Sequence, residues 1–199
     1  MRKPAPIRGR LCAIVITGTP GTGKTAISKS LSREVGAQYL SLTRFVIGKR
    51  LHSAIDVQRR SRVVDFERTR GRLKKLLSRA KSMVVIDTHI PDAIPREYVR
   101  MVIVLRCHPR VLQARLRMRR WSVSKIRENV LAEILDSCYT TAVDYYGARR
   151  IAQVDTSRVS LAKSVKQSKR ILKRQPIYTA KVDWLSVLIR DHSLERYLG

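Results

Sequence analysis

Residues 18–25 read Gly-Thr-Pro-Gly-Thr-Gly-Lys-Thr, the spacing G-x-x-x-x-G-K-[ST], and this order of residue types suits the gripping of a nucleoside triphosphate. Gly18, Gly21 and Gly23 have no Cβ to keep a phosphate from the main-chain N–H groups, and Thr22 lies between two of them. A helix starting at the loop adds the positive end of its dipole. Lys24 then reaches the β and γ phosphates, and the Thr25 hydroxyl ligates Mg2+.

Asp87 closes the apolar run Met83-Val84-Val85-Ile86, which puts a carboxylate at the carboxyl edge of a sheet, where open α/β folds bind ligands. There it either supports the magnesium ion and positions a water or caps the next turn. His89, two residues on, either positions a nucleophile or is a polar surface residue. Arg115, Arg117, Arg119 and Arg120 surround a break between two later helices. Arginines so placed can neutralise the charge that spreads over a transferring phosphoryl group. Arg119 stands at the helix end and is the one favoured by position, whereas Arg117 reads as surface. Trp121 follows and can stack on a base or simply pack.

Those residues need elements to hold them. Residues 11–17 form a continuous apolar run around Ile14, Val15 and Ile16, the pattern of a strand buried on both faces. Ile27, Leu31 and Val35 then recur at four-residue steps up to Gly36, which predicts a helix closed by glycine. Further strands are expected at 83–86, 101–105 and 150–154, and helices at 65–81, 109–120, 123–146 and 158–174. Residues 41–62 read as polar and irregular. Pro176 opens a tail containing Trp184. Alternation of this kind predicts an α/β fold with a central parallel sheet between helix layers.

The chain has 199 residues, enough for about one domain with a small appendage, and 44% of them are hydrophobic, which excludes wholesale disorder. Its 42 Lys and Arg against 15 Asp and Glu leave a net charge of +27, which points to a polyanionic partner, nucleic acid or ribosome first. Cys12, Cys107 and Cys138 contain no Cys-x-x-Cys pair, so neither a disulfide framework nor a zinc site is expected. No stretch approaches the roughly 18 apolar residues of a membrane span, and the expected setting is the cytoplasm.

The constellation resembles one branch of the P-loop nucleoside monophosphate kinases, the small adenylate kinases of the coilin-interacting nuclear ATPase type (adenylate kinase isoenzyme six) with their archaeal relatives. The residues that carry it are 16–25, Arg62-Val63-Val64-Asp65, Ile86-Asp87-Thr88-His89 and Val104-Leu105-Arg106. After them come Val111-Leu112, Arg115-Leu116, Arg119, Lys125-Ile126, Glu128-Asn129 and Glu133. The phosphate loop alone is shared with shikimate and cytidylate kinases. The resemblance implies a three-layer αβα kinase domain over residues 1–175, with an acceptor-binding segment at 41–58, a lid at 118–128 and a tail at 176–199. It implies catalytic roles for Lys24, Asp87, His89 and Arg119, magnesium on Thr25 and Asp87, and ATP contacts from Gly21, Gly23, Lys24, Thr25, Ala26 and Arg119. The implied reaction is ATP plus AMP giving two ADP, with ATP hydrolysis beside it. The implied partners are a small-subunit ribosomal protein of the platform and rRNA. Two departures stand out: the lid reads Arg119-Arg120-Trp121 where relatives have Arg-Gly-Tyr, and the acceptor segment is basic (Arg44, Lys49, Arg50, Arg59, Arg60) with no arginine singled out as a ligand.

Overall fold

The apolar run near the amino terminus becomes β1 (Ala13–Thr17), and all five of its residues are buried. A computed structural model gives the fold and describes residues 11–56, 61–173 and 182–198. β1 lies at the centre of a five-stranded sheet whose order is β2-β5-β1-β6-β7, with β2 (Gln38–Ser41), β5 (Val84–Asp87), β6 (Val99–Arg106) and β7 (Ile151–Asp155). Every pairing in it is parallel. Successive side chains point to opposite faces, so Ala13 and Val15 join one core while Ile14 and Ile16 join the other.

The first face is covered by α2 (Leu42–Gly48), α3 (Phe66–Leu77) and α6 (Ser137–Tyr146), through residues such as Leu42, Leu73 and Tyr146. The second is covered by α1 (Lys24–Val35) and α7 (Leu161–Lys173), through Leu31, Val165 and Leu172. Each fully buried aliphatic side chain contributes about 1.5–3 kcal/mol through its removal from water. The expected layer order and parallel sheet are therefore present. Gly36 closes α1 in the left-handed conformation, as its position after Val35 predicts.

Three sequence expectations change. The segment 41–62 is not irregular: α2 buries Leu42 and Val46, and β3 (His52–Asp56) pairs antiparallel with β4 (Ser61–Val64). The strand β2 stands at the sheet edge and is only partly buried, so Gln38, Tyr39 and Ser41 give it no apolar signature. The single helix expected at 123–146 is two helices, α5 (Val123–Ile134) and α6, with Asp136 in the left-handed region at φ 57° between them. The break is enforced from β6. The Arg106 guanidinium donates to the Glu133 carbonyl at the end of α5 (3.0 Å) and to the Asp136 carboxylate, so a buried cation satisfies the helix terminus.

A third small core lies between α4 (Pro109–Met118), α5 and the carboxyl-terminal helices α8 (Trp184–Arg190) and α9 (Glu195–Leu198). Leu188 is buried there beside Leu112, Leu116 and Val130. The tail therefore packs on the helices that follow β6, with its opening residues 176–181 lying outside the described residues.

Candidate functional site

The chain reverses between β1 and α1 at the carboxyl edge of the sheet, beside the point where connections leave β1 and its neighbours in opposite directions, the place where such sheets bind ligands. Gly18, Gly21 and Gly23 adopt φ of 138°, 99° and 94°. Gly18 is fixed by space as well, because a Cβ there would lie 2.4 Å from the Leu105 carbonyl oxygen. Gly18→Ala is accordingly expected to cost about 2 kcal/mol or more in a urea melt; an unchanged midpoint would show that the loop accommodates a side chain.

Within the loop, the Thr22 hydroxyl donates to the Thr19 carbonyl (2.9 Å) and the Lys24 ammonium donates to the same oxygen (3.2 Å). Thr156, just past β7, donates to the Thr22 carbonyl (3.0 Å). Desolvation lowers the Lys24 pKa; Cys138, Asp87 and Glu133 pull it up and Arg119 adds to the lowering. Thr25 Oγ1 donates to Asp87 Oδ2 (2.6 Å), so the two oxygens named for magnesium are neighbours. Tyr39 donates to the same Asp87 oxygen (3.2 Å).

One cleft of about 670 Å³ gathers these groups. Gly21, Gly23, Lys24, Thr25, Ala26, Asp87, His89 and Arg119 all line it. Gly18 and Thr22 stand behind the loop and shape it. Desolvation by the cleft wall, with the nearby Lys24 ammonium, holds His89 below the ordinary imidazole value. Arg119 ends α4, and Arg120 beside it takes φ 57°, a left-handed conformation. Arg115 does not line this cleft; it braces Thr156, donating to its carbonyl (2.6 Å), on the far side of the loop. Arg117 is exposed, as its position suggests.

Five wall residues of the cleft have no motif of their own: Lys29, Tyr39, Ser41, Thr43 and Arg44. The register of β2 on β5 sets Ser41 opposite Asp87, so α2 begins at the cleft and presents Arg44 to it. Among the described residues of the basic segment, Arg44 is the arginine that lines the cleft; Arg59 and Arg60 lie outside the described residues. A second hollow of about 230 Å³ borders the far side of the loop, with Gly21, Gly23, Arg119, Thr156 and Val159 among its walls.

Behind the loop sits a buried charge network. Glu133 accepts from Thr19 Oγ1 (2.6 Å), Arg106 Nε (2.9 Å), the Cys107 amide (3.0 Å) and Trp184 Nε1 (3.2 Å). Arg106 also donates to Gln153 (2.9 Å) and to the Val182 carbonyl (3.2 Å). Burial works against its charge, but the carboxylates of Glu133 and Asp136 more than offset that and raise its pKa.

The parallel sheet, the phosphate loop at its carboxyl edge and the acidic residue on the adjacent strand define a P-loop protein of the nucleotide and small-molecule kinase fold. Among solved structures the chain is similar to a sugar kinase from Janibacter (TM-score 0.56, 19% identity, covering 84% of this chain and 98% of that one). It is also similar to shikimate kinase from Bacteroides thetaiotaomicron (TM-score 0.54, 18% identity, 81% and 98% covered). Residues 14–136 match the family described as AAA domain. Two archaeal proteins, each named "Putative adenylate kinase", align over most of their lengths. That of Saccharolobus solfataricus is 34% identical over 93% of this chain and 91% of its own. That of Methanocaldococcus jannaschii is 31% identical over 86% and 92%. The chain belongs to the family of these archaeal adenylate kinase relatives.

Proposed function

We propose that the protein is an adenylate kinase transferring the γ-phosphoryl group of ATP to AMP. An oxygen of the AMP phosphate attacks the γ phosphorus, the bond from that phosphorus to its β-bridging oxygen breaks, and both products are ADP. With water in place of AMP the same site hydrolyses ATP to ADP and phosphate. The observation that carries this reading is the single cleft holding the phosphate loop on one side and Tyr39, Ser41, Thr43 and Arg44 on the other. Its volume lies within the range of ligand sites, roughly 300–1,000 Å³, toward the upper half.

The loop amides of Gly21, Gly23 and Ala26 hold the triphosphate, and Arg119, which borders both hollows, joins the donor nucleotide to the transferring group. Thr25 and Asp87 suit Mg2+, which binds through one or two protein oxygens and completes its shell with phosphates and water. Among the described residues no group of three or more His, Cys, Asp and Glu is placed to hold a metal ion. When bound, the ion screens charge on the phosphates. Lys24 places its ammonium on the transferring oxygens, and His89 orients the attacking group. Arg44 receives the AMP phosphate. The kinase domain spans 1–175, with acceptor segment 41–58 and lid 118–128.

The test is ADP production from ATP alone and from ATP plus AMP; two ADP per ATP consumed, dependent on AMP, is expected. Arg44→Ser should raise the KM for AMP about tenfold or more, as for loss of a charged hydrogen bond, and leave the KM for ATP as it was. Equal effects on both would remove Arg44 from the acceptor side.

A second reading is favoured by the +27 charge: an ATP-hydrolysing assembly factor for the small ribosomal subunit, working in the cytoplasm on a platform ribosomal protein and rRNA. It predicts ATP hydrolysis stimulated by that partner and indifferent to AMP. No described helix is long and apolar enough to cross a membrane.

A further inference from the structure

Away from the cleft, α4, α5 and α9 enclose a hollow of about 240 Å³ whose walls include Arg117, Trp121, Ile126, Arg127, Arg196 and Tyr197. It shares no wall residue with the nucleotide cleft or with the hollow beside the loop. Arg117 and Arg119 are two positions apart, about 200° around a helix, so one helix end serves the cleft with Arg119 and this hollow with Arg117. The floor is apolar, since Ile126 and Val130 are buried. The rim is cationic: three guanidinium groups and no carboxylate line the hollow. Lys125, not itself a wall residue, lies 5.0 Å from the centre of the Trp121 ring. Burial raises the Tyr197 pKa, and the positive charges of Arg110 and Arg196 act in the opposite direction.

An apolar floor, two aromatic rings and a ring of arginines match the demands of a nucleotide: a flat base to be stacked and a phosphate to be neutralised. At 240 Å³ the hollow is smaller than the sites that hold whole small molecules. A single base fits that size. A duplex keeps its bases paired and stacked, so the base must come from an unpaired strand. A strand also carries phosphates beyond the hollow, for which the +27 charge provides.

We infer that the hollow between α4, α5 and α9 is a second nucleotide site, which holds one unpaired base of an RNA strand between Trp121 and Tyr197 with its phosphates on Arg117 and Arg196. The identity of the strand as RNA rests on the ribosomal reading above; the site itself rests on this geometry. The carboxyl-terminal helices supply one wall, which gives the docked tail a role separate from catalysis.

The test titrates the full-length protein with a labelled ten-nucleotide oligouridylate, following anisotropy between 50 and 200 mM salt, in parallel with uridine monophosphate. Arg117→Ser with Arg196→Ser is compared with Arg72→Ser with Lys75→Ser, which removes the same charge from the exposed side of α3. The first pair is expected to weaken RNA binding about tenfold and to lower the salt slope by about 1.4, or 0.7 per lost phosphate contact. The control pair should change affinity less than threefold, and both should form ADP at the original rate. Fluorescence quenching by the oligomer should vanish in Trp121→Phe, with Trp184 still present. Equal losses in both pairs would reduce the effect to the general field and overturn the site. Uridine monophosphate binding as tightly as the oligomer would overturn the strand assignment. If the unaltered protein binds no RNA, the ribosomal reading fails with the site, whereas normal binding untouched by the first pair sinks the site alone.

Discussion

Lys24→Ala is expected to remove ADP formation almost completely, with AMP or without it, a fall of about a thousandfold in kcat/KM, equivalent to ~4 kcal/mol of transition-state stabilisation. The ammonium lies inside the loop, 3.2 Å from the Thr19 carbonyl, and is the group that faces phosphate oxygens when a triphosphate follows the loop. Phosphoryl transfer asks mainly for positioning and charge, so nothing else in the cleft substitutes for it. Arg119 lines the cleft from the end of α4 and Arg44 from α2, and under the proposed function each serves a different part of the substrates. The fold should survive, because desolvation already disfavours the Lys24 charge and its removal leaves no buried partner unpaired. Unchanged turnover in a variant that melts like the original protein would overturn both the kinase and the ATPase reading. Lys24→Arg is expected to rescue little, since a planar guanidinium is wider than the ammonium it replaces.

The parts of the molecule legible in the sequence are those set by local chemistry. β1 announces itself because both faces are buried, which keeps polar residues out of the run 13–16. The phosphate loop follows from glycines needed at positive φ, and α1 from its four-residue repeat and Gly36. Asp87 is readable from its place at the end of an apolar strand. What the sequence conceals is set by distant partners. Arg106 looks like the polar end of a strand, yet it is 1% exposed and breaks the helix expected at 123–146. Arg44 and Tyr39 reach the cleft only because β2 pairs with β5 instead of with β1; nothing in their local pattern marks them. The tail after Pro176 reads as an appendage, since the hydrogen bond from Trp184 to Glu133 joins residues far apart in the chain.

That hydrogen bond leads to the second large effect. Glu133→Ala is expected to destabilise the protein by about 3–5 kcal/mol, the cost of leaving a buried charge without its partner, and to lower the melting temperature by roughly 10 °C for a chain of this size. Arg106 and Glu133 are 1% and 2% exposed, so water cannot replace the lost carboxylate. Asp136 still offers Arg106 an acceptor, which keeps the loss toward the lower end. The Cys107 amide, Trp184 Nε1 and Thr19 Oγ1 lose theirs entirely. Thr19 belongs to the phosphate loop, so ATP should also bind more weakly in variants that remain folded at low temperature. Trp184→Phe removes one donor of the same set and should cost about 1 kcal/mol, with a smaller change in ATP affinity. Combining it with Glu133→Ala should cost less than the sum, because the hydrogen bond they share can be lost only once. Strict additivity in urea melts would mean that the tail and the loop do not communicate through Glu133. A melting temperature unchanged by Glu133→Ala would show that Asp136 alone carries the Arg106 charge.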